Sequence, residues 1–453
     1  MGCALRIFHA ICLITALLCG PVMGQQTGTS NAQPQASAPD SQAPVVLTLR
    51  DALERARNLD PTYRTALTVA GIAREDHVQA RAALLPNVAE NTEYLYTQGG
   101  TGTSTPRYIA NNAVHEYVSQ GNIHQVISGA QFADLNRTSA AAAAAQANAE
   151  IASRGLVATV VTTYYAEVVA RRKYANAQLA ADETRRFFEL TQKLEQGGEV
   201  AHSDVIKAQL TANDAQRALR EAELAMGRTH LELAVLVFPS FNQNFSTVDD
   251  LRLAPPLPPM QELEQQARVK NPQLYAAMQS FRAADYEVLA SKAAYLPTLS
   301  LDYFYGIDAN QFATYSNTPE GRIRNLGYSA IATLNIPIWN WGAVHSKVRQ
   351  SELRRELAQT ELSAAQRKLI ADFKTLYAEA DAARIQLDVL QQSADLAAQS
   401  VQLTLLRYQG GEATALEVVD AQNALVNARN NFDDGQSRYR VAIANLQTLT
   451  GVF

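Results

Sequence analysis

The stretch ARNLDPTYRTALTVAGIAREDHVQARAALLP at residues 56–86 returns without a gap as ARVKNPQLYAAMQSFRAADYEVLASKAAYLP at residues 267–297. Both copies begin with Ala-Arg, keep a proline near the start and end on Leu-Pro. A second match lies further along each copy, since QGGEV at 196–200 corresponds to QGGEA at 409–413. Two matches in the same order indicate that the chain is a tandem duplication of one structural unit.

Each unit predicts the same order of elements: short helix, strand, long loop, strand, long helix, tight turn and short helix. Thr48 is a possible cap for the first helix, and Pro86 closes it. The predicted helices cover 48–84, 133–195 and 200–238 in the first repeat, and 260–295, 343–408 and 414–449 in the second. At about 1.5 Å per residue the long helices reach about 95 to 100 Å. Such rods are not typical of a globular domain.

Apolar residues of the second long helix recur in steps of three and four, which is the signature of a coiled-coil seam. The seam positions are Leu362, Ala365, Leu369, Phe373, Leu376, Ala380, Ala383, Leu387, Leu390, Ala394, Ala397 and Val401. The first long helix has a matching group at Val157, Val161, Tyr164 and Val168. A cytosolic coiled-coil scaffold is the alternative, and the export signal described next disfavours it.

The first 24 residues read as a secretory signal, with Arg6 followed by an apolar run and a small-residue cleavage site ahead of Gln25. All three cysteines of the sequence, Cys3, Cys12 and Cys19, lie inside it, so disulfides do not stabilise the mature chain. Cys12 and Cys19 follow Ile11 and Leu18 instead of a small residue, which disfavours a lipid-anchored cysteine. The full sequence has 453 residues with 39 Lys and Arg against 44 Asp and Glu. Removal of the signal takes away Arg6 and leaves 38 against 44, a net charge of −6 that disfavours nucleic acid as a partner.

The remaining boundaries follow from composition and from the repeat. Residues 25–45, rich in Gln, Ser, Ala and Pro, predict a disordered linker. The first repeat covers 46–238, an inter-repeat linker covers 239–259, and the second repeat covers 260–453. No apolar run of about 18 residues follows the signal, which excludes a membrane-spanning helix. A spanning element would have to be a β-barrel strand.

Alternation with a period of two predicts strands at 298–308 and 326–338. Trp339 and Trp341 follow, and indoles in this position favour a membrane edge. The first repeat has a poorer alternation at 87–98 and 122–132. A soluble sheet with one wet face is the alternative, which the signal and the strand length of about ten residues disfavour.

Four strands leave two open edges, and an unpaired backbone group in hydrocarbon costs several kcal/mol. The chain must therefore associate with copies of itself to close a barrel. Two, three or four copies, giving about eight, twelve or sixteen strands, are all possible on this argument.

Several segments resemble the TolC-type outer-membrane efflux factors: the duplicated halves, the Leu-Pro that ends each first helix, IPIWNWG at 336–342 and YQGGEATALEVVDAQ at 408–422. The resemblance implies a mainly α fold with a small β part, in which helical hairpins form a periplasmic coiled-coil tunnel. It further implies a homotrimer whose four strands per protomer complete a 12-stranded transmembrane barrel. Such a protein is the exit duct of an efflux or type I secretion system, joined by a periplasmic adaptor to an inner-membrane pump of the RND, ABC or MFS type.

The same resemblance assigns roles to individual residues. The carboxylates of Glu417 and Asp420 correspond to the entrance constriction, and a ring of such groups favours cations. Asp204 and Tyr408 correspond to a gate latch between hairpins, while the gate arginine of the best-known member falls on Ala413. The adaptor-docking tips correspond to Gly197, Gly198, Gly410 and Gly411.

No pattern in the sequence indicates catalysis, a cofactor or a metal. The histidines are scattered without ligand spacing, and no phosphate-binding loop or nucleophile elbow is present. The main alternative to an exit duct is a periplasmic adaptor or structural coiled-coil scaffold without a membrane barrel. Such a protein needs no alternating strands beside a pair of tryptophans.

Overall fold

The computed structural model describes residues 45–96, 115–240, 243–253, 255–319 and 321–451. The predicted signal at 1–24 lies outside the described residues, as does the predicted linker at 25–45 apart from Val45. The described part is mainly helical with a small amount of strand, as the sequence predicts. No helix in these ranges is both long and apolar enough to cross a membrane.

The two repeats contain equivalent elements. The first has α1 (Leu49–Leu59), α2 (Pro61–Ala82), β2 (Asn87–Tyr96), β3 (His115–Ile127), α3 (Gly129–Gln196) and α4 (His202–Val237). The second has α5 (Met260–Lys270), α6 (Pro272–Ala293), β5 (Thr298–Ala309), β8 (Leu326–Asn335), α7 (Ala343–Gln409) and α8 (Ala415–Thr450). Two short strand pairs were not predicted: β1 (Val45–Leu47) with β4 (Phe245–Thr247), and β6 (Tyr315–Thr318) with β7 (Gly321–Arg324).

The first helix of each repeat is broken in two, which corrects the single helices predicted over 48–84 and 260–295. The breaks fall at Asp60 and Asn271, which precede prolines and have extended ψ angles of 120° and 119°. A proline disfavours the helical conformation of the residue before it. The Asp60 carboxylate then caps the next helix by accepting a hydrogen bond from the Tyr63 amide at 2.6 Å.

Capping boxes set two helix starts of the first repeat. Thr48, the predicted cap, accepts a hydrogen bond from the Asp51 amide at 3.2 Å, and the Asp51 carboxylate accepts one from the Thr48 amide. Ser128 and Gln131 form the same arrangement at the start of α3. β3 ends before this cap, so the strand predicted over 122–132 was placed too late in the chain.

The long helices α3 and α7 are continuous over 68 and 67 residues, so each is about 100 Å long. Every predicted seam position on α7 is buried or half-buried. The seam packs against α8, where Gly435 lets the two backbones approach closely. A Cβ atom at Gly435 would lie 2.5 Å from Cδ1 of Leu390. The predicted coiled-coil packing is thus confirmed in this hairpin.

The four main strands form one antiparallel sheet in the order β2, β3, β5, β8. Val88 pairs with Ile123, Ile123 with Tyr303, and Tyr303 with Ala330. Directly paired residues point to the same side of a sheet, so the apolar residues of β5 and β8 share one face with Val88 and Ile123. Within the described ranges β2 and β8 are edge strands, each with a single strand neighbour.

The opposite face of the sheet is mainly polar. His124 on β3 and Asp302 on β5 are direct partners, and Nδ1 lies 2.6 Å from the carboxylate. The strand predicted over 298–308 extends one residue further, while the one predicted over 326–338 ends at Asn335. The residues after Asn335 lead to α7 instead of continuing the strand.

The largest buried cluster lies where β1 and β4 pack against the middle of α3. Tyr164 and Tyr165 are 1% and 2% exposed, with ring centroids 5.5 Å apart in an edge-on contact. The Tyr164 hydroxyl donates to the Val248 carbonyl at 2.8 Å. The parallel pair joins the start of the predicted first repeat to the segment predicted as the inter-repeat linker 239–259, which contributes the strand β4.

Arg172 on α3 ties the first repeat to the second. Its guanidinium donates to both carboxylate oxygens of Asp249, at 2.5 and 2.6 Å, and to Asp433 and Gln436 of α8 at 2.9 and 2.5 Å. Burial lowers the pKa of Arg172, but its bonds to the two carboxylates outweigh burial and raise it overall. The charged side chain thus links α3, α8 and the segment between the repeats.

Candidate functional site

Both long hairpins turn on paired glycines. The four predicted tip residues are Gly197, Gly198, Gly410 and Gly411. The second glycine of each pair has φ of 77° or 73°, a left-handed conformation that glycine adopts without steric cost. In the first turn the Glu199 amide donates to the Leu194 carbonyl at 2.9 Å, a bond typical of helix ends of this kind. The glycines act as helix stops, and their role in docking stays a prediction.

An apolar cluster joins the two hairpins directly behind the tips. It contains residues from all four helices of the two hairpins: Phe187 of α3, Ala208 of α4, Tyr408 of α7, and Ala415 and Val418 of α8. Each of these side chains is at most 4% exposed. The two hairpins of one chain are therefore packed together at the tips in this structure.

Tyr408, a predicted latch residue, lies at the centre of this cluster. Its ring centroid is 5.2 Å from that of Phe187, and its hydroxyl donates to Thr191 Oγ1 at 3.5 Å. Burial raises the pKa of Tyr408, and the nearby negative charge of Asp204 raises it further, while the bond to Thr191 opposes them. The hydroxyl is thus kept protonated and bonded within its own chain.

Asp204, the other predicted latch residue, lies near Tyr408 without a direct hydrogen bond to it. Its closest cationic neighbour is Lys207, one turn along α4, at 3.9 Å. The structure therefore brings the latch pair into the same region, but places Thr191 in hydrogen-bond reach of the tyrosine hydroxyl.

Glu417 is the third residue of a capping box at the start of α8. Its Oε1 accepts hydrogen bonds from the Thr414 amide at 3.1 Å and hydroxyl at 3.2 Å. Its Oε2 lies 3.3 Å from Nη1 of Arg407. The hydrogen bonds from Thr414 lower the pKa of Glu417, and Arg407 lowers it further. Both oxygens of this predicted constriction residue are thus bonded within its own hairpin.

Asp420, the second predicted constriction residue, lies one turn further along α8 and is exposed. Its carboxylate has no hydrogen bond or ion pair with the described residues. Ala413, which falls at the arginine position of the resembled family, is half-buried against the tip cluster. The two predicted constriction carboxylates therefore differ, since one is paired and the other is free.

The two tryptophans lie at the opposite end of α7, between β8 and the helix start. Trp339 and Trp341 are 74% and 89% exposed, and their ring centroids are 5.7 Å apart. Ile338 beside them is 90% exposed. Trp341 has a left-handed φ of 54°, followed by Gly342 at 82°. This turn displays three large apolar side chains at the end of the apolar sheet face.

Three residues of the tip region were missed by the sequence reasoning: Phe187, Thr191 and Arg407. The first two lie on α3, and nothing in the sequence showed that they face a residue more than 200 positions away. Arg407 directly precedes Tyr408, and its place in the last turn before the glycines was the available signal. Among the described residues, no group of three or more His, Cys, Asp or Glu side chains could hold a metal ion.

Comparison with known proteins shows what the chain is similar to. Residues 263–452, nearly the whole second repeat, match the family model described as outer membrane efflux protein. The second repeat is thus similar to the outer membrane efflux proteins over these residues. The chain is 23% identical over 432 residues to the alkaline protease secretion protein AprF of Pseudomonas aeruginosa, covering 90% of the chain and 85% of AprF. It is 21% identical over 422 residues to the outer membrane protein TolC of Escherichia coli K12, covering 89% and 82%.

Solved structures show the same fold. The CmeC outer membrane channel of Campylobacter jejuni superimposes with a TM-score of 0.76 at 15% identity, covering 95% of this chain and 94% of CmeC. The open state of the MtrE outer membrane channel of Neisseria gonorrhoeae gives 0.74 at 18% identity, covering 89% and 88%. The fold of the described chain is therefore that of TolC-type channels.

Proposed function

We propose that the chain is the outer-membrane exit duct of a tripartite efflux or type I secretion system. It conducts substrate passively from an inner-membrane pump and periplasmic adaptor to the exterior. The observation that carries this proposal is the open-edged antiparallel sheet, apolar on one face, joined directly to helices about 100 Å long. The sheet lies in the outer membrane and the helices extend through the periplasm.

The sheet supports assembly from several copies. Its apolar face carries Leu301, Tyr303 and Tyr305 of β5, each at least 40% exposed, with Tyr328 of β8 76% exposed. An exposed apolar face of this kind suits lipid, and its edges must be paired there. Because the order β2, β3, β5, β8 alternates in direction, β8 of one copy meets β2 of the next as an antiparallel pair. Three copies give a homotrimer with twelve strands.

The helices support the same assembly. α3 packs against α4 and α8, and α8 packs against α7, so α4 and α7 lie at the two ends of the set. Each end helix exposes apolar side chains at seven-residue spacing, Leu224 and Leu231 on α4 and Val389, Leu396 and Leu403 on α7. A seven-residue apolar repeat is the pattern of helix pairing. We place α7 of one copy against α4 of its neighbour.

The predicted site residues take roles within this duct. Tyr408 and Asp204 hold the periplasmic entrance closed, with Glu417 and Asp420 at its constriction. Gly197, Gly198, Gly410 and Gly411 form the tips on which the adaptor docks. Trp339 and Trp341 anchor the inner edge of the barrel, where amphipathic indoles are favoured. A measured adaptor affinity that is unchanged by substitutions at all four glycines would exclude the docking role.

Membrane fractionation tests the proposal against the alternative of a periplasmic adaptor or coiled-coil scaffold. An exit duct stays with the outer membrane through high-salt washing, and the purified protein forms conducting channels in planar lipid bilayers. A protein released by salt, without channel activity, would favour the alternative. The open-edged sheet disfavours that alternative, because a periplasmic scaffold has no use for an exposed apolar sheet face.

A further inference from the structure

Arg407 spans the turn of the α7–α8 hairpin. It lies in the last turn of α7, and Gly410 and Gly411 reverse the chain so that α8 starts beside it. Nη2 of Arg407 donates to the Glu412 carbonyl at 3.0 Å, and Nη1 donates to Oε2 of Glu417 at 3.3 Å. One guanidinium thus bonds to both the turn and the first turn of α8.

Glu417 is held from two sides by this arrangement. The amide and the hydroxyl of Thr414 both donate to Oε1 of Glu417, and Arg407 donates to Oε2. The side chains of Arg407 and Glu417 are 51% and 45% exposed, so water reaches both groups. An ion that lies more than the Debye length of about 8 Å away therefore experiences almost no net charge from this pair.

Asp420 lies three residues after Glu417 on the same side of α8, with an exposed carboxylate that has no partner in the described chain. We infer that Arg407 determines the charge of the entrance, because it neutralises Glu417 within each copy and leaves Asp420 as the uncompensated carboxylate. This inference rests on the proposed function, which places both acids at the mouth of a threefold tube. A trimer then presents three effective negative charges from these positions instead of six.

The gate arginine of the resembled family is absent from its corresponding position in this chain. The corresponding position is Ala413, which is small and half-buried against the tip cluster. This chain carries its arginine six positions earlier, where it bonds within its own hairpin. Arg407 therefore acts on the selectivity of the entrance through Glu417.

The test is block of the reconstituted channel by hexaamminecobalt(III), a trivalent cation, added at the periplasmic side. Arg407→Gln frees three Glu417 carboxylates, and we expect the blocking concentration to fall about tenfold. Asp420→Asn raises it by a similar factor. The matched control is Arg407→Gln combined with Glu417→Gln, which keeps the capping box and restores the parental charge. This double variant should return block to the parental value.

Two results would overturn the inference. One is unchanged block in Arg407→Gln, and the other is a double variant that is blocked as weakly as Glu417→Gln alone. Either result would show that Arg407 lies away from the conducting path. If Arg407→Gln fails to assemble, the double variant still tests the inference against Glu417→Gln alone, because the two differ only at Arg407 and the double variant should be blocked at lower concentrations. A parental protein that forms no channel would instead contradict the proposed function itself.

Discussion

The ring of Phe187 on α3 meets the ring of Tyr408 on α7 at a centroid distance of 5.2 Å and an interplanar angle of 62°. The two residues come from different repeats, and both are almost fully buried. Edge-to-face contacts of this kind stabilise by about 0.5–1.5 kcal/mol beyond the area that they bury. The contact joins the α3–α4 hairpin to the α7–α8 hairpin at the proposed entrance.

Removal of the Phe187 ring is expected to loosen the entrance. Phe187→Ala deletes a fully packed ring, which costs about 3–5 kcal/mol in a buried site. Because the ring connects the two hairpins, that loss favours their separation. We expect a higher single-channel conductance in planar bilayers than the parental protein shows.

Tyr408→Phe is the matched control for that variant. It keeps the ring contact and removes only the hydrogen bond to Thr191, which contributes about 1 kcal/mol. We expect its conductance to rise less than that of Phe187→Ala. Equal conductance of Phe187→Ala and the parental channel would show that this contact does not hold the entrance closed.

The tip glycine Gly411 is expected to resist substitution. Its φ of 73° costs a residue with a side chain about 1–2 kcal/mol, so Gly411→Ala should lower the midpoint of thermal unfolding. Gly227 in the middle of α4 is the control, since a Cβ there meets nothing within 4 Å. Gly227→Ala should leave the midpoint unchanged or raise it. The same response from both variants would contradict the assigned geometry.

The bonds of Arg172 to Asp249, Asp433 and Gln436, here called the Arg172 clamp, are expected to contribute strongly to stability. Arg172→Ala leaves Asp433, whose side chain is 11% exposed, without its partner, and broken buried pairs cost about 3–5 kcal/mol. Since Asp249 is 37% exposed, we expect the lower end of that range in urea denaturation. Arg185→Ala, which removes an exposed pair on the same helix, should cost less than about 0.5 kcal/mol. Equal costs would show that the clamp adds nothing beyond a surface pair.

The start of α8 is expected to weaken in acid. The pKa of Glu417 in the folded chain lies below its ordinary value of 4.5, because of its bonds from Thr414 and the charge of Arg407. Stabilisation from a lowered carboxyl pKa is present above pH 4.5 and is lost as the pH falls through the folded value. Hydrogen exchange of the Thr414 amide, corrected for its intrinsic rate, should show protection lost in that window. In Glu417→Gln the protection should not depend on pH there.

Much of the architecture follows from the sequence because it depends on local periodicity. The steps of three and four on α7 correctly predicted its buried side, and the alternation in 298–308 correctly predicted one apolar sheet face. The breaks at Asp60 and Asn271 were missed although both precede prolines. The apolar periodicity continues across each break, so the helix pattern outweighed the proline.

Contacts between distant segments could not be predicted in this way. β1 and β4 are three residues long and lie about 200 positions apart, so neither has a readable period. The partners of Tyr408 on α3 and the burial of Phe187 depend on how the two hairpins meet. Glu417 shows the same limit, because its spacing from Asp420 gives no sign that Arg407 neutralises it.

In the proposed duct, the open edges β2 and β8 close against neighbouring copies. With all three cysteines inside the predicted signal, a cysteine at Ala89 of β2 can be combined in turn with one at Ser329, Ile331 or Thr333 of β8. These positions share the polar face of the sheet. After oxidation in membranes, we expect that one of these pairs gives a ladder of bands on a non-reducing gel that ends at three linked chains. Monomers alone for every pair, or a ladder that continues past three, would contradict it.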